Sequence, residues 1–533
     1  MPIRRPATVS QALRRAAGTG LLCLAATLAP AFATPSLPSN NVAWLPAAGD
    51  ADIERAFAQA RSLKKPVLLY WGATWCPPCN QLKATLFNRQ DFAAQARSFV
   101  AVHVDGDRPG AQKLGKRFNV SGYPTLVMFT PDGAEITRLP GEVDAEQVLA
   151  LMQLGLSGGR PVKAVLADAQ GGKPLAANEW RLLAFYSWET DDQQLVPKDG
   201  LPGLPGLLAS LAAASPAGDS ETTTRLWLKA LAASDDGKGV KPDAALRERV
   251  QRVLADPALS RTHMDVIGAS AADIVRALAA DSPPEKSPLV PAFDAALQRL
   301  AADTTLSRGD RQTALVSRIE LARLGLPKDA VQVKLPEALL KDVREQAARD
   351  DREIADAYER QAVITGDGYA LGLAGLWDDS EALLKSNLAK SHSPYYLMSQ
   401  LGSNAKKLGR KDEALRWYEQ AFDKSEGPAT RLQWGSGYLS ALVDLAPGNA
   451  ARIEKTASKL FAEAAKDSGA FEGRSVRSLQ RVGKKLVAWN GDGKQGAALK
   501  RLQAQLDGVC AKVDAADGQR AACQALLKAK KAA

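Results

Sequence analysis

Histidine is nearly absent from this chain: His103, His263 and His392 are the only three in 533 residues, far apart in sequence. Cysteine is scarce too, at five. A zinc site at the one close pair, Cys76 and Cys79, would need a second pair or nearby histidines, and neither is at hand. No dense Lys/Arg block marks a nucleic-acid binder, and aromatic residues are only 6%. Beyond the N-terminal segment no run reaches the roughly 18 apolar residues of a membrane-spanning helix. Gly 42 and Pro 30 follow no fixed period, which excludes fibrous repeats. These absences predict no metal, no cofactor, no nucleic acid and no membrane span in the mature chain.

What is present can fill cores. The chain is 46% hydrophobic and 24% charged, and at about 100–200 residues per domain its length suggests three or four domains. The formal charge is +10, and losing Arg4, Arg5, Arg14 and Arg15 with an export segment leaves +6, a weak bias. Lys528, Lys530 and Lys531 read as a solvated basic end.

Residues 1–33 read as a cleaved signal peptide. The four arginines form a positive start, Ala16 to Leu28 is a short apolar run, and Ala31-Phe32-Ala33 supplies a small-x-small cleavage site. The run is too short and alanine-rich for a membrane span. Leu22 before Cys23 is too large for a lipoprotein site, and Ala16-Ala17 after Arg14-Arg15 departs from twin-arginine signals. With Cys23 removed, four cysteines remain as Cys76/Cys79 and Cys510/Cys523, an even number that suits pairing in an oxidising compartment.

Residues 40–158 alternate short strands with helices. Helices are expected at Asp52 to Leu63, Cys76 to Phe87, Gln112 to Phe118 and Ala145 to Leu154. Strands are expected at Pro66 to Trp71, Phe99 to Val104, Thr125 to Phe129 and Glu135 to Leu139, the last two a hairpin around Pro131-Asp132-Gly133. The order is a βαβ half followed by a ββα half.

Trp75-Cys76-Pro77-Pro78-Cys79 at a strand-to-helix junction resembles the active site of the thioredoxin superfamily. Val120 to Thr125, with Tyr123-Pro124 inside it, resembles the superfamily's cis-proline loop, and Gly141 matches the glycine after its hairpin. Lys65-Pro66-Val67, Thr85-Leu86-Phe87 and Asp91-Phe92 look most like exported thiol:disulfide interchange domains, such as the soluble C-terminal domain of the membrane electron-transfer reductase. The resemblance implies an α/β thioredoxin fold acting in the periplasm on protein thiols and disulfides. It makes the membrane reductase a candidate partner. It also implies that Pro124 and its neighbours Tyr123 and Thr125 hold substrate while Trp75 flanks the nucleophile. The superfamily's buried acid is replaced here by Tyr70, and its accompanying lysine falls near Ala101.

The chemistry of the pair follows from its spacing. Disulfide exchange needs an attacking thiolate and a second thiol close enough to resolve the mixed disulfide. Two intervening residues at a helix start place Cys76 at an exposed first turn, where unsatisfied N–H groups favour a thiolate, and Cys79 one turn inside. Pro77 and Pro78 are tolerated there because first-turn N–H groups have no helical partner. The alternative is an inert structural disulfide, which would not need Trp75 or Tyr123-Pro124.

Residues 159–220 read as a linker, with a low-complexity Gly/Pro/Ala/Ser run from Gly200 to Ser220. From 221 to 485 the chain reads as all-α, with helices at Asp243 to Ala255, Ala271 to Ala279, Leu289 to Ala301, Arg311 to Leu324 and Leu335 to Tyr358. Leu401, Gly402, Gly409, Ala414, Tyr418 and Ala421 resemble tetratricopeptide consensus positions. Ala382, Ala389 and Pro394 recur as Ala414, Ala421 and Pro428, near the repeat's roughly 34-residue period. Units at about 363–428 suggest an α-solenoid, either a concave surface for a peptide or protein partner or a plain packing domain. Residues 486–533 read as a helical hairpin: Leu499, Leu502, Leu506, Val509 and Val513 form a stripe, and Asp517-Gly518 turns the chain toward Cys523, Leu526 and Leu527. Cys510 and Cys523 are expected to form a structural disulfide, the alternative being a second redox pair.

The intact mass of protein recovered from the host's periplasm is expected to lack residues 1–33. A chain still beginning near Met1, or carrying lipid on Cys23, contradicts cleaved export.

Overall fold

The computed structural model describes residues 42–139, 145–191, 194–196, 203–216, 220–234, 239–279 and 282–528. The export segment, Gly141, Lys530 and Lys531 lie outside the described residues.

Five strands make one mixed sheet: β1 (Leu45–Ala47), β2 (Val67–Gly72), β3 (Val100–Asp105), β4 (Thr125–Phe129) and β5 (Glu135–Leu139). Their spatial order is β1-β3-β2-β4-β5, with β3 parallel to β1 and β2, and β4 antiparallel to β2 and β5. Helices α1 (Asp50–Leu63), α2 (Pro77–Leu82), α3 (Gln90–Ala96), α4 (Ala111–Arg117) and α5 (Ala145–Leu156) complete the unit. β1 has no counterpart in the sequence reading. It is three residues long, and Pro46 is tolerated because β1 lies at the sheet edge. The helix expected from Cys76 to Phe87 is α-helical to Leu82 and then widens into a π-helical turn, Lys83–Phe87.

Alternation along β2 sorts its side chains between two cores. Val67, Leu69 and Trp71 pack with Val100, Val102 and Val104 of β3, under Ile53 and Phe57 of α1. Leu68 and Tyr70 face the opposite side with Leu126 and Met128 of β4, and that core runs onward into Leu166, Trp180, Leu183, Leu208 and beyond.

The described residues between 159 and 220, a stretch read from sequence as a linker, are therefore part of the folded body. They contain α6 (Val162–Gln170), α7 (Ala177–Phe185) and α8 (Gly203–Ala214). Low complexity hid α8: its Leu207, Leu208 and Leu211 share one buried helical face. Arg138 on β5, itself fully buried, donates at 2.7 Å to the carbonyls of both Asn119 and Thr190 and ties this segment to the sheet.

The remaining elements among the described residues are helices. α9 (Ser220–Ala232), α10 (Ala244–Ala255), α11 (Pro257–Thr262), α12 (Met264–Ala279), α13 (Leu289–Ala302) and α14 (Arg308–Ala322) come first. Then follow α15 (Glu337–Glu353), α16 (Ala357–Leu373), α17 (Trp377–Asn387), α18 (Pro394–Lys407) and α19 (Lys411–Lys424). The series ends with α20 (Pro428–Leu445), α21 (Ala450–Ala464), α22 (Gly473–Trp489), α23 (Gly496–Cys510) and α24 (Gln519–Gln524). The single helix expected over Leu335 to Tyr358 is broken at Ile354, because the Asp356 carboxylate caps a new helix by accepting from the Glu359 N–H.

Neighbouring helices pack pairwise, α16 on α17, α18 on α19 and α20 on α21, and alternate ones stack, α14 on α16, α16 on α18 and α20 on α22. This is the contact pattern of stacked helical pairs. A Cβ on Gly402 would come within 3.1 Å of the Tyr418 ring, which explains a glycine where α18 and α19 press together. Cys510 and Cys523 are disulfide-bonded with Cα atoms 5.7 Å apart.

The helical layer is bound to the sheet unit by polar contacts that bridge hundreds of residues. Asp107, in the loop after β3, accepts from the Thr430 N–H at 2.9 Å and from the Thr430 hydroxyl at 2.5 Å. It thereby caps the N-terminus of α20, whose own N-cap, Gly427, has no side chain for the task; a Cβ there would meet Asp107 at 2.7 Å. Gly110 N–H donates to Asp467 at 2.8 Å, Arg474 N–H to the Gln112 side chain at 2.8 Å, and Lys113 pairs with Asp517 at 2.9 Å.

Asp107→Ala is expected to lower unfolding free energy by about 2–3 kcal/mol. Losing the cap contributes about 1 kcal/mol, and stranding the Thr430 donors in the interface supplies the rest. Asp107→Asn, which keeps an acceptor oxygen, should lose less than half of that. Urea titrations of the full chain distinguish the two.

Candidate functional site

The site forms where β2 ends. The chain turns through Ala73 to Trp75 and enters α2, with Cys76 as its N-cap: the Cys76 sulfur accepts from the Cys79 N–H at 3.3 Å. Pro77 and Pro78 occupy the first two helical positions, where no donor is lost. The Asn80 amide donates to the Thr74 carbonyl at 3.0 Å and fixes the turn. Cys76 and Cys79 are both free thiols, their sulfur atoms 2.6 Å apart.

The Tyr123–Pro124 peptide is cis, and Thr125 opens β4 opposite Trp71, its hydroxyl donating to the Gly122 carbonyl at 3.1 Å. Gln112 donates to the Tyr123 hydroxyl at 2.9 Å and to the Gly106 carbonyl at 2.7 Å. Tyr123 meets Trp75 edge-on with ring centres 6.0 Å apart. Trp75, Cys76, Cys79 and Tyr123 thus share one cluster, whereas Cys510 and Cys523 belong to the separate core of the C-terminal helices.

One sequence expectation is corrected here. Cys76 was placed at an exposed first turn, yet it is only 2% exposed, because the helical layer closes over it. Tyr395, Tyr396 and Met398 of α18, Trp417 and Ala421 of α19 and Trp434 of α20 pack into the cluster that holds both thiols. Tyr396 stacks on Trp75 at 5.9 Å, and Trp434 meets Trp75 edge-on at 6.2 Å. The Arg474 guanidinium lies 4.7 Å from the Trp75 ring centre and 4.9 Å from that of Tyr123. The Trp75 indole N–H donates to Asp107 at 2.5 Å, so the carboxylate that caps α20 also fixes the residue beside the nucleophile.

Electrostatics divide the two sulfurs. Burial pushes the Cys76 thiol well above its ordinary range, and the nearby Cys79 adds to the effect. Burial acts on Cys79 in the same direction, but the neighbouring Cys76 thiol, Ala73 backbone and Tyr70 hydroxyl outweigh it and hold Cys79 lower. The Tyr70 hydroxyl is buried without a hydrogen-bond partner and belongs to a ring stacked on His103 at 4.8 Å. A Cβ on Gly72 would lie 2.3 Å from that hydroxyl, so this glycine makes room for Tyr70 at the thiols. In the described residues Tyr70 faces the inner cysteine from the position where the resemblance implies an acid.

Sequence reasoning did not single out Asp107, Tyr396, Trp434 or Arg474. Asp107 lies one loop beyond β3 but carries no motif, and the other three sit on helices more than 300 residues from the cysteines. Among the described residues no cluster of three or more His, Cys, Asp or Glu could hold a metal ion, and no helix is long and apolar enough to cross a membrane.

Comparison with known proteins addresses the first quarter of the chain. The thiol:disulfide interchange proteins DsbD 2 and DsbD 1 of Pseudomonas aeruginosa are 33% and 31% identical to it over 125 and 112 residues. Those stretches cover 23% and 20% of this chain and 21% and 19% of the two relatives. Thiol:disulfide interchange protein DsbD of Yersinia pestis is 32% identical over 118 residues, 21% of this chain and 20% of its own. The chain thus spans about a fifth of the length of the curated relatives it matches. Residues 53–155 match the model of the thioredoxin-like domain, and this match agrees with the sheet order, the Cys76–Cys79 turn and the Tyr123–Pro124 loop in making that segment a thioredoxin-like domain.

Proposed function

We propose that this chain is a thiol:disulfide oxidoreductase of the periplasm that acts on protein cysteines through Cys76 and Cys79. The observation that carries the reading is the pair of free sulfurs 2.6 Å apart at the start of α2. Cys76 attacks a substrate disulfide, forming a mixed disulfide and releasing one substrate thiolate. Cys79 then attacks the Cys76 sulfur, releasing the second thiol and leaving the Cys76–Cys79 disulfide. Two electrons pass to the substrate, and an external dithiol restores the pair. The lowered Cys79 suits the resolving step, and Trp75, Tyr123, Pro124 and Thr125 flank the place where the substrate sulfur must sit. The stacked helical pairs are tetratricopeptide-like, and the Cys510–Cys523 bond staples their last turn. A membrane electron-transfer reductase, which the resemblance of the Cys76–Cys79 unit implies, is the candidate source of electrons.

The surroundings of the thiolate support action as a reductant. A strong oxidant stabilises its attacking thiolate, whereas burial opposes a Cys76 thiolate and Pro77-Pro78 adds no charge or donor. A second reading, a helical scaffold whose thioredoxin-like module binds partners without turnover, is favoured by the burial of Cys76.

Cys76→Ser is expected to abolish insulin reduction, and Cys79→Ser to accumulate mixed disulfides. Normal turnover in both variants, or none in the wild type, favours the scaffold. The potential of the full chain against glutathione should fall between roughly −270 and −120 mV, nearer the reducing end. A value near −120 mV would reverse the direction.

Tyr70→Phe removes the hydroxyl that helps hold Cys79 below its desolvated pKa, so the Cys79 pKa should rise and resolution of the mixed disulfide should slow in stopped-flow measurements. Because the Cys76 pKa is raised, its thiolate fraction is low at neutral pH and grows as pH rises. Alkylation of Cys76 in the reduced protein should therefore still be accelerating above pH 9, past the ordinary thiol range of about 8.5.

A further inference from the structure

A cavity of about 580 Å³ opens between α2 and the helices α12, α14, α16, α18 and α20, and Pro77 and Pro78 form one of its walls. Tyr396 and Trp434 form another, and the same two rings pack around Cys76, so they separate the cavity from the nucleophile. Its volume lies within the range of sites that enclose a small molecule or a few residues of peptide, and far below a folded domain.

The lining identifies the chemistry of the occupant. Apolar surface from Met264, Leu300 and Tyr369 predominates, and no Lys or Arg is among the described residues that line it. Its two acids are already engaged: Asp265 is bound by Arg225 at 2.9 Å, and Asp310 accepts from the Ser307 hydroxyl at 2.7 Å. An anionic low-molecular-weight disulfide such as oxidised glutathione would meet no counter-charge here. Two lining side chains hold buried polar atoms without a partner, the Trp434 indole N–H and the Gln400 amide oxygen. One is a donor and the other an acceptor, the complement of the C=O and N–H of a peptide group, and each buried polar atom left unpaired costs about 1–3 kcal/mol.

We propose that this cavity is the substrate subsite, and that it takes an extended, uncharged apolar segment of a partner protein and delivers the disulfide carried on it to Cys76 when the Tyr396 and Trp434 rings, which meet edge-on at 5.3 Å, part. The proposal rests on the exchange reading above and adds the substrate class to it. The exchange is the two-electron reaction already described, with an added dithiol as the reductant. The helical layer is then the element that selects substrates, since the thioredoxin-like unit alone would expose Cys76 to any disulfide.

The test uses the reduced full chain, dithiothreitol as electron source and three disulfides. Two are synthetic peptides of equal length with one internal disulfide, flanked in one by leucine and alanine and in the other by aspartate and glutamate. The third is oxidised glutathione. The apolar peptide should exceed both others in kcat/KM by about tenfold or more, the scale on which an apolar pocket discriminates. Thr313→Trp and Ser399→Trp, each filling the cavity from a different helix, should bring the ratio of apolar to acidic peptide close to one. Near-UV circular dichroism and the melting temperature check that the variants are folded. Equal rates for all three substrates in the wild type, or a ratio that neither variant changes, overturns the proposal. Calorimetry with the apolar peptide bearing serines in place of its cysteines separates the two readings. Binding that both variants weaken, without turnover of any disulfide, would overturn the exchange reading and keep the peptide site. Absence of binding overturns the site whatever the turnover.

Discussion

The Asp107 carboxylate is the contact through which the two halves of this protein act as one. One oxygen accepts from the backbone of Thr430, and the other from the Thr430 hydroxyl and the Trp75 indole. A helix N-terminus carries unsatisfied N–H groups and partial positive charge, so it requires an anion or an oxygen-bearing side chain. α20 obtains that group from the α/β unit rather than from its own sequence. Burial opposes the charge, raising the Asp107 pKa, and the Thr430 and Trp75 bonds offset the effect only in part. Placement of α20 over the thiols and placement of Trp75 beside them are therefore one event, and Tyr396, Trp434 and Arg474 take their positions around it.

That coupling changes what a Cys-Pro-Pro-Cys turn does. On a bare thioredoxin-like domain the first cysteine stands in water at a helix start, and the helix end stabilises its thiolate. Here the same backbone geometry is kept, with the Cys79 N–H aimed at the Cys76 sulfur, but the solvent is replaced by aromatic rings. Desolvation then exceeds the benefit of the helix end and raises Cys76, while Cys79, with the Tyr70 hydroxyl among its neighbours, is held lower. The residue that stands in for the superfamily's acid thus has a physical role, and Gly72 keeps space for it.

Legibility in the sequence followed the range of the interactions. The Trp75 to Cys79 turn, the strands on both sides and the Asp132-Gly133 hairpin are specified by residues within a few positions of one another. They could be read, as could α10, whose Asp243 cap stands at its start. The short β1 could not, because three residues carry no alternation, and its place is set by pairing with β3 across more than 50 residues. Residues 159–220 were misread because glycine and proline interrupt the stretch, while its leucines find partners only once the sheet face is present. The cover over Cys76 was invisible for the same reason: nothing near Tyr396, Trp434 or Arg474 in sequence indicates that a thiol lies beneath them.

The pairing of Lys113 with Asp517 spans 404 positions, and Asp517 lies within the loop that the Cys510–Cys523 bond closes. Contacts of such separation must pay a large chain-closure entropy before they return anything, so they belong to the late, slow part of folding. The cover over Cys76 is likewise built from α18, α19 and α20, more than 300 residues from the thiols, so shielding the pair depends on long-range docking and not on the local turn that positions it.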